Sequence, residues 1–406
     1  MAETFKAVPA EIAGLGNLVK DIGDDGGKIA NFVSANAPPQ GALFTGVIIS
    51  DLLQPLQGLC DVTHGRLNDI SVHTTSTSTE LNKAAWMYHD QDLRNYQALN
   101  NHTQDVLSST SPEVPATVEK QGQTEAYSAA AAYNKAESIS LDPPTVNRED
   151  IAGLIGEVSP VLGDINESIK SVTRTAGKEI DPLVLVLKPI EGNWNEIRRI
   201  GEVYKIAGNA METCGKNLES GVSRVGQHWD GKAAISFEQS WAKRQIEAFK
   251  WEGPVGRVTS DLFSKLADEI RDGIRRAITA LKEMIEDYID VKSVKGILKN
   301  VIKKVPGIGW AVEVVDLGNK IYTIVSAVKK IVDKIEETKN KLKEYVEFLK
   351  NPAQVTAEKL QEKIQPALRT AAVGQDLAQV AQYNKTADRP RESYEVGAGT
   401  NPWDNG

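Results

Sequence analysis

The chain has 406 residues, of which 41% are hydrophobic, 25% charged and only 6% aromatic, with a formal net charge of -8. That length leaves room for two or three domains of ordinary globular composition, and the acidic balance excludes general nucleic-acid binding, which needs a basic face. Two cysteines, Cys60 and Cys214, and five scattered histidines without a His-Glu-x-x-His pair exclude a disulfide framework and point to neither a metal site nor a cofactor.

Helical periodicity dominates the chain. Residues 9–35 read as a first helix that Pro9 opens, with Ile12, Leu15, Val19, Ile22, Ile29 and Phe32 mostly on one face and Gly23, Gly26 and Gly27 weakening its middle. Pro38 and Pro39 break it, and a second helical region follows over about 42–107, with Pro55 as a kink or restart. Leu67, Ile70, Thr74, Thr77, Leu81, Ala84 and Tyr88 step by three and four, a narrow seam suited to a helix hairpin or coiled coil. The Ser/Thr-rich patch 71–80 inside it has poor intrinsic helix propensity and depends on packing.

Residues 108–146 read as a Ser/Thr/Pro/Ala-rich linker with room for a short helix at 124–138. Helical spacing resumes over 148–177, and the apolar run at 184–188, between Pro182 and Pro189, reads as a strand-like buried connector. A long helix is expected over 195–227, broken at Asp230-Gly231, with a return helix that Gly253-Pro254 interrupts before it continues to Ile289. From 292 to 350 the chain holds 13 lysines against 7 acidic residues and is strongly amphipathic. Periodicity fades after 351, and 386–406 reads as a disordered tail.

The expected fold is therefore all-α, an elongated bundle of long antiparallel helical hairpins with a disordered C-terminal tail. Its divisions are a hairpin at 1–107, a linker at 108–146, a second hairpin domain at 147–290, Lys-rich helices at 291–350 and a C-terminal helix with tail at 351–406. Residues 1–20 carry charges at Glu3, Lys6, Glu11 and Lys20 and no apolar run, so no cleavable signal peptide is expected. No stretch of about 18 apolar residues announces a transmembrane helix. Adjacent carboxylates such as Glu149-Asp150 point to different sides of a helix and make poor acid/base pairs, and no P-loop, dinucleotide motif or catalytic triad order occurs. No catalytic residue is identified, and a non-enzymatic role is expected.

Two short motifs carry the functional reading. Trp229-Asp230-Gly231 lies between two long helical stretches, where Gly231 can reverse the chain, Asp230 can cap the returning helix, and Trp229 can pack at the tip and donate one hydrogen bond. Tyr88 and Asp92 lie four apart, placing an aromatic ring and a carboxylate on one helix face, a combination that a receptor can read. Tyr133-x-x-x-Glu137 is a second instance of the same spacing.

The stretch 191–241, with Gly192-Asn193-Trp194 opening its helix and Trp229-x-Gly231-x-Ala233-Ala234 at its turn, resembles the WXG superfamily of type VII (ESX) secretion substrates, in particular the N-terminal delivery regions of large actinobacterial secreted toxins. Pro306-Gly307-Ile308-Gly309-Trp310-Ala311 extends the similarity, which covers roughly 147–335. Leu81-x-x-Ala84-Ala85-x-x-Tyr88-x-x-x-Asp92 is similar to the end of Esp-type helical proteins of the same pathway, where Tyr-x-x-x-Asp/Glu is the export signal. The resemblance implies a virulence-associated protein that is secreted or attached to the cell envelope. It implies Tyr88 and Asp92 as export signal, and a secretion ATPase or chaperone as partner. A small WXG helical partner or a homo-oligomer would come next. The family's enzymatic units follow such regions, but past 350 the sequence loses periodicity, so a structural, delivery or interaction module is the leading expectation. The alternative is a membrane-active or pore-forming protein built on 292–335, with Lys299, Lys303, Lys304 and Trp310 meeting an anionic surface. Packing of that amphipathic segment on the bundle is the expected arrangement.

Overall fold

The computed structural model describes residues 6–39, 52–104, 125–145, 149–175, 181–188, 192–288, 308–352, 355–382 and 390–395, with the single positions 179 and 190. The fold is all-α. The helices are α1 (Pro9–Asn36), α2 (Leu53–Gln104), α3 (Ile151–Val158), α4 (Leu162–Thr175), α5 (Pro182–Leu187), α6 (Trp194–Val225), α7 (Lys232–Ser236), α8 (Lys243–Tyr288), α9 (Ile308–Lys350), α10 (Ala357–Ile364) and α11 (Ala371–Val380). Among the described residues the extended pairing is a single bridge between Ala7 and Trp229.

Two long antiparallel hairpins, α1 with α2 and α6 with α8, pack against each other through α1 and α6, so the core is a four-helix arrangement built from both halves of the chain. Helices α9 and α11 cover the outer side of α8. Helix α1 runs unbroken through its glycines. A Cβ at Gly23 would stand 2.3 Å from Thr75 Oγ1, and Ser71 Oγ donates to Gly23 O at 2.7 Å. The glycine-rich stretch of α1 and the Ser/Thr patch of α2 are thus complementary small surfaces that let the two backbones approach. Within the patch 71–80, Thr74 and Thr77 are fully buried.

Four local expectations are corrected. The 148–177 segment is two helices, because Ser159-Pro160 interrupts the backbone ladder. The apolar run 184–188 belongs to a helical turn rather than a strand. Asp181 Oδ1 accepts from Val184 N–H at 3.0 Å and Pro182 occupies the first turn, so a capped start beats β propensity. Val186 and Leu187 are buried while Val184 and Leu185 remain exposed, so only half of the run faces the core. Gly253-Pro254 does not interrupt the return helix: α8 runs through Pro254. At that point α6 and α8 come closest, and a Cβ at Gly256 would sit 2.3 Å from Tyr204 O. Tight, fully buried packing over residues 252–256 holds the helix where sequence alone suggests a break. Finally, residues 125–145 hold no helix. They lie extended along α1, α2 and α6, with Ala131 N–H donating to Ala10 O at 2.8 Å and Asn217 bonding both backbone groups of Glu137 at 2.8–3.0 Å.

Between the hairpins sits a buried ion pair. Arg66 of α2 donates to Glu252 of α8 through Nε (2.5 Å) and Nη2 (2.9 Å), and its guanidinium lies over the Trp251 ring at 5.2 Å. Nearby, Gln245 Nε2 reaches both Ile70 O and Thr74 Oγ1. At the far end of α1, Arg199 is held by Glu196 and donates to Asn36 O (2.6 Å) and Pro38 O (3.2 Å), closing the carbonyl end of the helix. Both cysteines are free and buried, as small core residues. Of the expected disordered tail, 390–395 lie on the bundle, and 386–389 and 396–406 fall outside the described residues. No helix among the described residues is long and apolar enough to cross a membrane.

A candidate recognition site where the two hairpins meet

The turn after α6 is built by glycine and by the chain's first described residues. Gly231 holds φ 94° and ψ −177°, a region open essentially to glycine, and its carbonyl accepts from Ile235 N–H to start α7. Asp230 was expected to cap that returning helix and does not. Its N–H donates to Lys6 O at 2.9 Å and its Oδ1 accepts from Lys6 N–H at 2.5 Å. Val8 N–H donates to His228 O at 3.0 Å and Lys6 Nζ to Gln227 O at 3.0 Å. The Trp-Asp-Gly turn is therefore clamped by the segment that leads into α1. This partnership has no sequence signal, because it spans more than 220 positions.

Trp229, only 2% exposed, places its ring inside the junction of the hairpins. Its indole N–H donates to Tyr88 Oη at 3.2 Å, and the rings meet edge to face with centroids 6.3 Å apart. Burial pushes the Tyr88 phenol above its ordinary value. The two sequence motifs, 141 positions apart, thus touch. Tyr88 itself is buried, whereas Asp92, one turn on, is exposed. Of the expected aromatic anchor and charge, the ring points inward as cement between hairpins and the carboxylate faces out.

The aromatic contact continues. Phe237 lies 5.5 Å from Trp229 and 5.6 Å from Trp241, which it stacks on, and 5.3 Å from Tyr394, which meets it edge-on. Phe237–Ala242 is a π-helical turn at the start of α8, a local insertion that often marks functional places. On the other side of α2, Trp86 N–H donates to Glu125 O at 3.0 Å, and Tyr127 packs on Trp86 and bonds His89 Nδ1 at 3.2 Å. Burial, and then the charge of Asp92, raise the Tyr127 phenol. The sequence reading missed Lys6, Tyr127 and Tyr394 as parts of this site. Tyr127 and Tyr394 stand in low-periodicity stretches where nothing predicts a docking partner.

The other candidate residues lie elsewhere. Trp194 opens α6, at the opposite end from Trp229, about 48 Å along the axis by helical rise. Asn193 caps that end, accepting from Glu196 N–H at 3.1 Å. Trp194 N–H donates to Glu149 Oε2, and Arg271 grips the same carboxylate through Nε to Oε2 and Nη2 to Oε1, both at 2.6 Å. Tyr133 of the second Tyr-x-x-x-Glu instance is on no helix. Its hydroxyl donates to Glu11 at 2.8 Å and its ring lies under the Arg224 guanidinium at 4.0 Å. Lys299, Lys303 and Lys304 lie outside the described residues. Trp310 lies on the first turn of α9, and its side chain is outside them too. The described part of that amphipathic segment packs on α8, with Ile324, Val328 and Ile335 buried. Among the described residues no cluster of His, Cys, Asp or Glu is arranged to hold a metal ion.

Comparison with protein families, with curated proteins and with solved structures returns no match to this chain.

Proposed function

We propose that this chain is a non-enzymatic substrate of type VII (ESX) secretion, exported as a structural, delivery or interaction module. The observation that carries the reading is the contact between Trp229 and Tyr88. It joins the Trp-x-Gly turn to the Tyr-x-x-x-Asp stretch inside α2, the two motifs on which the resemblance rests, in one chain. On this reading the two hairpins act in cis as the two halves of a recognition unit. Tyr88 and Trp229 set the tip's shape, and the exposed Asp92 supplies the charge that a secretion ATPase or chaperone meets.

The division of labour gives a test in a bacterium with a type VII system. Asp92→Ala should abolish export while leaving the unfolding midpoint unchanged, because Asp92 is exposed. Tyr88→Phe, which keeps the buried ring, should be exported. Undiminished export of Asp92→Ala would sink the proposal.

A further inference from the structure

Residues 390–395 lie against the aromatic cluster, with Tyr394 packed on the core. Tyr394 N–H donates to Thr77 Oγ1 at 3.0 Å, and the Tyr394 ring stands edge-on to Phe237. Arg391, Glu392 and Glu395 are exposed. The fit is also incomplete. Trp241 is 3% exposed, yet its indole N–H has no acceptor among the described residues, an uncommon and unfavourable state for a buried donor. Between the π-helical turn and the segment is an open cavity of about 470 Å³, lined by Ser236, Ser240, Trp241, Arg244, Arg391 and Tyr394 among others.

We propose that the face formed by Phe237 and Trp241 is a binding site for an extended peptide that inserts an aromatic side chain, and that Tyr394 is its tethered occupant, exchangeable with such a segment of another chain. The chain's own residues define the chemistry the site accepts: a ring against Phe237, and a backbone N–H for the Thr77 hydroxyl. A partner that adds an oxygen acceptor for the Trp241 N–H and fills the cavity makes contacts that Tyr394 leaves unmade. The tether compensates, since a linked segment competes at an effective concentration of roughly millimolar. Phe237 and Trp241, both on the π-helical turn, form one stacked surface. The exchange goes beyond the export reading and is read on the purified full chain, so the two can fail separately.

The test uses a fluorescein-labelled peptide of residues 388–397, titrated by fluorescence anisotropy against the full chain. Tyr394→Ala, which empties the site, should bind the peptide at least about tenfold more tightly than the wild-type chain, because the tethered competitor is gone. Tyr394→Phe, which keeps the ring, should exclude it as the wild type does. A peptide with Ala in place of its Tyr should bind Tyr394→Ala at least about tenfold more weakly. If Tyr394→Ala does not fold, Tyr394→Leu takes its place with the same expected order. Equal affinity for the wild-type chain and the emptied variant overturns the proposal, as does a dissociation constant for that variant weaker than about 0.1 mM, at which a roughly millimolar tether could not give the tenfold difference.

Discussion

The indole N–H of Trp229 ends on the hydroxyl oxygen of Tyr88, 3.2 Å away, in the buried junction of two hairpins. Tyr88→Phe removes the acceptor and little volume, leaving a buried donor unpaired at a cost of about 1–3 kcal/mol. Trp229→Ala adds a cavity and should cost about 3–5 kcal/mol. Because the contact is shared, the double variant Tyr88→Phe/Trp229→Ala should destabilise by less than the two single changes added together. Urea unfolding of the four proteins measures the coupling, and strict additivity would refute it.

The clamp on the turn has a local signature. Asp230→Ala removes the acceptor for Lys6 N–H, so amide exchange at Lys6 and Val8 should accelerate while the centre of α6 keeps its protection. Gly231→Ala forces a side chain into a backbone region reserved for glycine and should cost about 1–3 kcal/mol globally. Hydrogen exchange separates the two, one fraying a single segment and the other lowering stability throughout.

Arg66 and Glu252 are a buried pair whose members cannot be removed singly. Arg66→Met strands the Glu252 carboxylate and should destabilise by about 3–5 kcal/mol. Replacing both, as Arg66→Met with Glu252→Leu, should recover most of that loss, since an apolar pair of similar volume needs no charge desolvation. A double variant no more stable than Arg66→Met would show that the pair is needed for reasons other than charge balance.

Acid should loosen the end of α6 that Trp194 occupies. The Glu149 carboxyl is held below its usual 4.5, chiefly by the Arg271 hydrogen bonds; partial burial opposes this and the Trp194 N–H adds to it. A depressed carboxyl binds its proton more readily when unfolded, so its contribution is complete above about 4.5 and is lost as pH falls through the folded value. Arg271→Gln should lower stability at pH 7 and flatten the part of the acid dependence below 4.5 that Glu149 supplies. Urea midpoints across that range provide the measurement, and an unchanged slope would count against it.

Helix identity was legible in this sequence wherever an apolar stripe was long. Residues 9–35 and 195–227 were expected as helices, and the structure forms them over Pro9–Asn36 and Trp194–Val225. What escaped was every feature decided by a distant surface. Gly253-Pro254 reads as a break because the facing Glu212 side chain, which leaves no room for a Cβ at Gly253, lies some 40 positions away. Asp230 reads as a helix cap because its actual partner, Lys6, lies 224 positions away. The same holds for Tyr394, whose ring finds Phe237 from a stretch without periodicity. The Trp-x-Gly and Tyr-x-x-x-Asp motifs were visible separately, but their meeting at one tip depends on the docking of the two hairpins.

The clamp of Lys6 and Ala7 on the turn at 228–230 also sets an order of events during synthesis. The segment that opens α1 finds its partners only after more than 200 further residues have been made and the turn has cleared the exit tunnel. Until then Tyr88 has no indole beside it, and the faces of α1 and α2 that later meet α6 and α8 stay uncovered. Between synthesis of Tyr88 and of Trp229, 141 positions later, the Tyr88 ring is therefore open to any binder in the cell, and completion of the second hairpin buries it while Asp92 stays exposed.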